Sequence, residues 1–583
     1  MSNPNEQFLS RRAWLALGST ASLSWAASHA IGAETSAPSA GRDSDLGART
    51  YNIRDFGAKG DGTTLDTVAV QMAIDACHKD QGGTVLVPAG VFVIGTVELK
   101  SNVTLRITAA GKLLGSADGK QYHAVDAIPL SGDSTLNDGN VALIFAVNAE
   151  NIVVEGPGTI DGQGALFRSP TRGVPPPSGI GGSHRPYHLL FHRCKNLAIR
   201  NIFLNASAFH SVRIIQSAYM NLEGIRIYNR VNHNNDGFHF ISAQHVRLSN
   251  CTVECQDDAC ALFGSCKFVT VTNCSFSTRW SVFRFGGGEA ENITVSNCLI
   301  YETYGCPIKL HCSPGSRFEN FSFSNLVMKN VTGPISIGSG PRRPRGSAAQ
   351  GGAGAGSQTN SPLVEVDESR PPGVVRNIFF RGIQATVTVP VPLADVPFVS
   401  NYNPGEVKSC IALNAVGDAV IEHVTFDDVH VTFAGGGTNE EAAVRDVPKV
   451  IGEYYQAGVL PAYALYARNV RGLTLSNVRF QVAAPEARPA MVFDHVRDGA
   501  VNGFSAQGTK EAESLLRFIE TQDVLLTAAR LVSPAAIFLQ VEGGDSGGIK
   551  IDGGDFSKAA QLTAFKAGAT KEAVKLGGGL SQS

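Results

Sequence analysis

A short alternating pattern recurs along most of the chain. It consists of an apolar residue, any residue, an apolar residue, any residue, and then Asn or Gly, and a second alternating apolar run follows. Alternation with a period of two predicts β-strands, and regular recurrence predicts stacked structural units. Six copies lie 23, 26, 23, 24 and 28 residues apart and end at Asn201, Gly224, Asn250, Asn273, Asn297 and Asn325, and later copies end at Gly382, Asp428 and Asn477.

The length of this repeat selects the architecture. Helical repeats need two amphipathic helices in about 34 residues, for which these units have no room. A unit of this length holds three short strands and three turns, which stack as a parallel β-helix with about 4.8 Å between coils. The recurring Asn is then expected at a tight turn, where its amide forms a ladder along the stack. The 63 Gly and 27 Pro fit this turn-rich, all-β prediction.

Two segments depart from the repeat. Residues 64–79 are predicted to form an amphipathic helix that covers the N-terminal end of the stack. Its apolar positions at helical spacing are Leu65, Val68, Met72, Ala73 and Ala76. Residues 338–372 are rich in Gly, Pro, Ser and Arg and are predicted to be a long loop insertion.

The start of the chain predicts export. Arg11 and Arg12 precede a short apolar run and small-residue cleavage sites, a pattern typical of a twin-arginine-type signal over residues 1–33. The run is too short for a membrane span, although an N-terminal helix anchor is the alternative. Residues 34–48 are expected to be a linker, and a periplasmic or extracellular location follows.

Residues 49–583 are expected to form one β-helix domain. Its predicted parts are an N-terminal cap over residues 49–100, the long loop, and weaker repeats with a C-terminal cap after residue 510. The 49 basic and 51 acidic residues give a net charge of −2, so we expect no nucleic acid or anionic membrane as partner. We expect a monomer.

The eleven cysteines cannot all pair within the chain, because their number is odd. Cys251, Cys274 and Cys298 each follow a repeat Asn, so we expect an inward column of thiols and not a set of metal ligands. No His and Cys spacing is typical of zinc, and no Gly-rich phosphate loop opens a helix. We therefore expect neither a metal nor a cofactor.

Two acidic stretches stand one repeat apart. Asp236 and Asp258 are separated by 22 residues, and Asp257 precedes Asp258. Stacked coils should bring these carboxylates together, where repulsion raises some pKa values and leaves others low. A protonated acid beside an ionised base is what glycosidic bond cleavage requires. The alternative is an ion-paired structural ladder, since paired acids without a stacked partner also occur at Asp427 and Asp428.

Cations follow in the next coils. Arg284 stands 26 residues after Asp258, and Lys309 stands 25 residues further on. Carboxylates beside ordered cations suit an acidic sugar, whose own carboxylate needs a charged partner. His239 is expected either to contact the substrate or to lie in the wall of the groove.

The residues around these aspartates carry a family resemblance. Residues 50–510 resemble glycoside hydrolase family 28, the polygalacturonase-like enzymes, in the openings at 55–62 and 82–90 and in the motifs Asn234-Asn235-Asp236 and Gln256-Asp257-Asp258. The resemblance implies a right-handed parallel β-helix of the pectin-lyase-like type. It also implies a secreted hydrolase that cleaves a pectic polysaccharide.

Roles for the site residues come from this resemblance. It implies that Asp257 is the general acid, that Asp236 and Asp258 position and deprotonate water, and that the anomeric carbon is inverted. Asn234, Lys309 and Ser281 occupy motif positions that the resemblance assigns to the substrate site. Two departures accompany it: Ser281 stands where the family has His, and Pro307 stands where it has Arg. Arg284 is the candidate for the missing positive charge.

Several functions stay open at this point. The departures leave room for rhamnogalacturonan or another glycan that contains uronic acid. A calcium-dependent polysaccharide lyase would use the three aspartates as calcium ligands and Arg284 or Lys309 to abstract a proton. A non-catalytic β-helical protein would bind carbohydrate without turnover. Whether cleavage is internal or terminal is also open.

Overall fold

The strands of the protein stack as three parallel sheets, which the chain visits in turn. The computed structural model describes residues 45–125, 128, 140–171, 174–180, 184–342, 370–389 and 405–578. The predicted export signal, residues 34–44 of the linker and residues 343–369 of the predicted loop lie outside the described residues. The described elements belong to one compact unit, Leu46–Ser583.

Sheet 1 contains the strands that precede the first tight turn of each coil. Strands confined to it are Val97–Glu98, Ala142–Val147, Tyr187–His192, Val212–Ile215, Phe238–Ile241, Cys260–Phe263, Phe283–Gly286, Ile308–Cys312, Ile335–Ser339, Ile411–Ala415, Leu516–Ile519, Ala535–Glu542 and Ala559–Lys566. Several of these strands are buried on both faces, as at Phe238–Ile241 and Ile308–Cys312. Chain segments outside the coils therefore cover parts of the outer face of sheet 1.

Sheet 2 follows sheet 1 in each coil and alternates buried with exposed residues. Strands confined to it are Thr50–Asn52, Gly83–Val87, Val103–Ile107, Glu150–Glu155, Lys195–Arg200, Ala218–Glu223, Gln244–Ser249, Lys267–Thr272 and Val574–Leu576. Two long strands, Leu465–Ser476 and Met491–Asn502, run through sheets 1 and 2.

Sheet 3 completes the coil after the recurring Asn. Its strands are Asp61–Leu65, Gly90–Ile94, Gly111–Gly115, Thr159–Asp161, Phe203–Asn205, Arg226–Asn229, Thr252–Cys255, Ser275–Thr278, Arg479–Val482 and Ser505–Ala506. Strands that bend through sheets 2 and 3 are Glu289–Thr303, Arg317–Val331, Val374–Val387, Ile421–Phe433, Gln522–Leu531 and Ile549–Asp555. The predicted all-β parallel β-helix is confirmed.

The core is a set of inward rows, one residue from each coil. In sheet 2, Val246 pairs with Val269, Val269 with Ile293, and Ile293 with Phe321. All four are buried. Burial of each such side chain contributes about 1.5 to 3 kcal/mol, so the stack is held by a continuous apolar column.

The recurring Asn marks a left-handed turn, as predicted. Asn273, Asn297 and Asn325 have φ of 54°, 54° and 52°, a region that Asn and Gly tolerate best. Asn325 donates its amide to the Asn297 side chain at 3.2 Å, so the ladder is present there. A second amide ladder, which the pattern did not predict, joins Asn102, Asn151 and Asn196 where the strands of sheet 2 begin.

The thiols point inward. Cys251, Cys274 and Cys298 are buried, and the backbone N–H of Cys251 donates to the Cys274 Sγ at 3.4 Å. All eleven cysteines lie in the described part of the chain, and none of them is in a disulfide.

The predicted capping helix is present, with a different buried face. Helix α1, Thr67–Lys79, packs against the first strands of the stack. It buries Val70, Ala73, Ile74 and Cys77, whereas Val68 and Met72 are exposed. The predicted face was wrong because Leu65 lies in strand Asp61–Leu65, before the helix, and because Val68 and Met72 face solvent. The face that covers the stack consists of small and β-branched residues instead.

The remaining helices are short. Helix α2 spans Asn439–Ala443 and begins with a capping box at Thr438, and helix α3 spans Tyr454–Ala457. Single 3₁₀ turns occur at Ile53–Phe56, Gly119–Gln121, Gly164–Phe167, Glu406–Lys408 and Lys571–Ala573. Both α2 and α3 lie between Ile421–Phe433 and Leu465–Ser476, in the longest described excursion from the coils.

Two adjacent glycines test how tightly the coils stack. Gly287 and Gly288 have φ of 67° and 68°, but a Cβ would meet nothing at Gly287 and would lie 2.3 Å from the Gly264 backbone at Gly288. We expect Gly287→Ala to cost about 1 to 2 kcal/mol of unfolding free energy from backbone strain alone. Gly288→Ala should cost clearly more, measured by denaturant unfolding. Equal losses would contradict the close approach of these coils.

Candidate active site

The register of sheet 1 brings the predicted carboxylates together. Phe238 pairs with Cys260 in parallel strands, and Asp236 and Asp258 each stand two residues before those strands. The Gly237 N–H donates to the Asp258 carbonyl at 2.9 Å, so the pairing continues to the aspartates. The predicted offset of one coil is confirmed.

Asp236 lies deepest among the three aspartates. Its Oδ2 is 2.7 Å from the His239 Nδ1 and 3.6 Å from the His210 Nε2, and the two imidazoles stack with centroids 4.4 Å apart. Burial raises the pKa of Asp236 well above its usual range, and the charges of Asp257 and Asp258 raise it further. Asp236 therefore holds its proton into a pH range where an exposed aspartate is ionised.

Asp257 is held at both carboxylate oxygens. The Asn234 amide donates to Oδ2 at 3.1 Å, and the Asp258 backbone N–H donates to Oδ1 at 3.0 Å. Burial and the charge of Asp258 raise the pKa of Asp257 to about 6, while Arg284 and the two hydrogen bonds oppose that rise. A substantial fraction of Asp257 is therefore protonated in mildly acidic solution.

Asp258 occupies a different environment. The Ser281 hydroxyl donates to its Oδ1 at 2.6 Å, and the Arg284 Nε lies 3.6 Å from its Oδ2. A hydrogen-bond donor and a cation are the surroundings that an anionic carboxylate requires. The three aspartates thus differ in their partners although they lie on neighbouring coils.

Three other predicted substrate-binding residues contact the aspartates directly. Ser281 is fully buried, and His239 is 5% exposed and bonded to Asp236. Asn234 is exposed, but its side chain connects Asp257 with the Arg185 guanidinium, whose Nη2 donates to the Asn234 Oδ1 at 3.1 Å. The structure places these residues as supports of the carboxylates, and their contact with substrate stays a prediction.

The two predicted cations are neighbours on sheet 1 but differ in exposure. Arg284 pairs with Lys309 across the strands Phe283–Gly286 and Ile308–Cys312. The Arg284 side chain is 12% exposed, whereas Lys309 is fully buried. The Lys309 Nζ lies 3.2 Å from the Glu453 Oε1 and 4.0 Å from the centroid of the Trp280 ring.

Several residues of the site were missed by sequence reasoning. Val212 pairs with Phe238, so His210 stands one coil before Asp236 and was accessible to the same spacing argument. Arg213, whose Nη1 lies 3.1 Å from the His210 Nδ1, follows three residues later. Glu453 comes from the excursion between coils, where no repeat predicts its position.

One group of described side chains has the spacing of a metal site. Ligand atoms of His210, Asp236 and His239 lie within 4.8 Å of one another. However, Asp236 and His239 already share a short hydrogen bond, and Arg213 and Arg284 bring positive charge to the pair. The donor set therefore fits a hydrogen-bonded network better than a cation site.

The fold and site define a parallel β-helix with a clustered carboxylate site on one sheet. Residues 77–343 match the sequence model of Glycosyl hydrolases family 28. This part of the chain is therefore similar to the family, and the resemblance of its motifs is confirmed over those residues.

Sequence relatives of the chain are consistent with its similarity to this family. A probable polygalacturonase of Vitis vinifera is 32% identical over 37% of this chain and 44% of its own length. A polygalacturonase of Malus domestica is 28% identical over 50% of this chain and 62% of its own. The chain thus spans about half the length of these relatives.

A solved structure supports the fold. The exopolygalacturonase of Thermotoga maritima superposes with a TM-score of 0.53 at 18% identity, over 74% of this chain and 92% of that protein.

The raised pKa of Asp257 predicts a pH-dependent stability. A folded-state pKa of about 6 against a usual 3.8 means that ionised Asp257 destabilises the fold, and this loss develops as the pH rises from about 4 to about 6. Asp257→Asn should therefore raise the Tm more at pH 7.5 than at pH 4. Asp427→Asn is the control, because Asp427 is partly exposed and lies 3.4 Å from Arg381. The same shift at both pH values would contradict the carboxylate repulsion.

Proposed function

We propose that the protein is an exported glycoside hydrolase that cleaves a pectic polysaccharide by carboxylate acid and base catalysis with inversion. The observation that carries the proposal is the set of three aspartates on two neighbouring coils, each with different hydrogen-bond and charge partners. The family 28 segment and the polygalacturonase relatives support the substrate class.

Asp257 is the general acid of this proposal. Its pKa of about 6 leaves a proton available at mildly acidic pH, and the Asn234 and Asp258 hydrogen bonds fix its carboxyl group. This proton goes to the oxygen of the leaving sugar as the glycosidic bond breaks.

Asp258 is the base that takes the proton of the attacking water. Its cationic neighbour Arg284 and the Ser281 hydroxyl support an anion there. Burial and the neighbouring carboxylates raise the pKa of Asp236 and favour its neutral form, so we assign it the role of positioning the water through a hydrogen bond. Attack from the face opposite the leaving group inverts the anomeric carbon, as in enzymes with two separated carboxyl groups.

Arg284 is proposed to bind a carboxylate of the pectic substrate. It is the partly exposed cation of the site, and a guanidinium matches a carboxylate in geometry and charge. No metal or cofactor takes part in the proposed steps.

The lyase alternative is less well supported. A lyase needs a basic side chain that can abstract a proton. Arg284 lies against Asp258, and Lys309 is buried against Glu453, so neither side chain is placed as a free base.

Export is proposed from the paired arginines Arg11 and Arg12 and the small-residue sites that follow. Within the described residues, no helix has both the length and the apolar character needed to cross a membrane. A periplasmic or extracellular location gives access to plant cell wall polysaccharide.

The direct test is turnover of polygalacturonan and rhamnogalacturonan oligomers. Asp257→Asn should lose at least about 10²-fold in kcat, the usual scale for general acid catalysis, because an amide cannot donate this proton. Asp427→Asn is the matched control and should keep parental activity. NMR of the first sugar released by the parent should show the anomer opposite in configuration to the cleaved bond.

An unchanged rate in Asp257→Asn would remove this residue from the mechanism. An unsaturated product that absorbs in the ultraviolet would instead establish a lyase. Oligosaccharide binding without turnover in the parent would establish a binding protein.

A further inference from the structure

A second cluster of buried charge lies one coil beyond Arg284. The Lys309 Nζ faces the Glu453 Oε1 at 3.2 Å, and the His311 Nδ1 lies 3.7 Å from the Glu453 Oε2. Exposed fractions of the three side chains are 0% for Lys309, 1% for His311 and 4% for Glu453. Since Lys309 and His311 belong to strand Ile308–Cys312, this cluster lies on the same outer face as Arg284.

The chain segment that brings Glu453 to this face is firmly attached. The Ile451 N–H donates to the Pro341 carbonyl at 2.9 Å, and a Cβ at Gly338 would lie 2.6 Å from the Ile451 Cβ. After Glu453, Tyr455 of helix α3 packs edge-on against Trp280 at 6.2 Å. Glu453 is therefore held in a fixed position on the outer face of sheet 1.

The charge of Glu453 is balanced by cations of the sheet. Although burial opposes ionisation, Lys309, Arg342 and Arg284 hold the pKa of Glu453 well below its usual range, whereas burial lowers the pKa of His311 and disfavours its charged form. The lowered pKa favours the carboxylate form of Glu453, which faces the Lys309 Nζ at 3.2 Å. A uronic acid carboxylate would be recognised by the same cations.

This ion pair is poorly explained as a stabilising device. Among the residues that the structure describes, neither the Lys309 Nζ nor the two Glu453 carboxylate oxygens have a partner in hydrogen-bonding geometry. A buried pair without further hydrogen bonds seldom recovers the cost of removing both charges from water. The pair lies on sheet 1 next to Arg284, where the substrate is proposed to bind, so its position points to a role in substrate specificity.

We propose that Glu453 occupies, with its own carboxylate, the place where the carboxylate of an acidic sugar would meet Lys309. The sugar bound at this coil is then one without a free carboxylate, and Arg284 is the cation that receives the uronate nearer the aspartates. This inference rests on the proposed pectic hydrolase function and specifies its substrate: a pectic chain with an uncharged unit close to a free uronate.

Two kinds of pectic sugar unit have no free carboxylate. A galacturonate methyl ester keeps the ring and removes the charge, and a neutral sugar such as the rhamnose of rhamnogalacturonan has no carboxylate. Neighbouring coils are about 4.8 Å apart, which is comparable to the length of one sugar ring. Arg284 and the Lys309–Glu453 pair therefore lie beside successive sugar units.

The test measures binding in the Asp257→Asn background, where substrate is not consumed. The probes are fully acidic trigalacturonate, the trimers methyl-esterified on a single ring, and a rhamnogalacturonan oligomer of similar length. Calorimetry should show at least one single-ester trimer or the rhamnose oligomer binding about tenfold more tightly than the acidic trimer. The better of the two identifies the neutral unit.

Glu453→Ala opens the place beside Lys309 and should reverse this preference by about tenfold, in favour of the acidic trimer. Glu453→Gln keeps the packing and removes the charge, so it should shift the preference in the same direction even if the alanine variant unfolds. Glu422→Gln is the control, since Glu422 pairs with Arg471 on sheet 2, and it should leave the preference unchanged.

The binding preference measured without any change at Glu453 can by itself overturn the inference. Tighter binding of the acidic trimer before any change at Glu453 would show that Lys309 is available to substrate, and would leave the proposed hydrolase function intact. An unaltered preference in both Glu453 variants would also contradict it. Absence of binding to every pectic oligomer, together with no turnover in the parent, would overturn the proposed function and this inference together.

Discussion

The parallel pairing of strands Phe238–Ile241 and Cys260–Phe263 is the contact on which the site depends. It places Asp258 beside Asp236 one coil away, and the next strand places Ser281 at the same position again. A slip of one residue in this register would turn every side chain to the opposite face, so the apolar core and the site specify the same pairing. The inward rows that stabilise the stack therefore also determine which charges meet on its outside.

Side chains of the same type acquire different pKa values and exposure from their burial and their partners. Asp236 contacts two stacked imidazoles and has a raised pKa, the pKa of Asp257 is raised to about 6, and Asp258 faces the Arg284 guanidinium. The cations differ in the same way, because Arg284 is partly exposed and Lys309 is closed by Glu453. Chemistry along this sheet thus changes from coil to coil although the backbone repeats.

Spacing along the chain predicted the features that repeat and missed those that do not. The period of the repeat was sufficient for the β-helix, for the Asn turns and for the meeting of Asp236 with Asp258, since each follows from counting one coil. The buried face of α1 could not be derived this way, because apolar residues on both sides of Thr67–Lys79 make its periodicity ambiguous. Glu453 reaches Lys309 across more than a hundred residues from an irregular segment, so only the folded structure shows that Lys309 is covered.

The central claim is that coil register brings Asp258 close enough for its charge to raise the pKa of Asp257. Carboxyl ¹³C NMR of aspartate-labelled protein, compared with Asp258→Asn, measures this coupling directly. The account predicts that Asp257 titrates near pH 6 in the parent and at a lower pH once the charge at position 258 is gone, because that charge raises its pKa. Titration of Asp257 near pH 4 in both proteins would contradict the account.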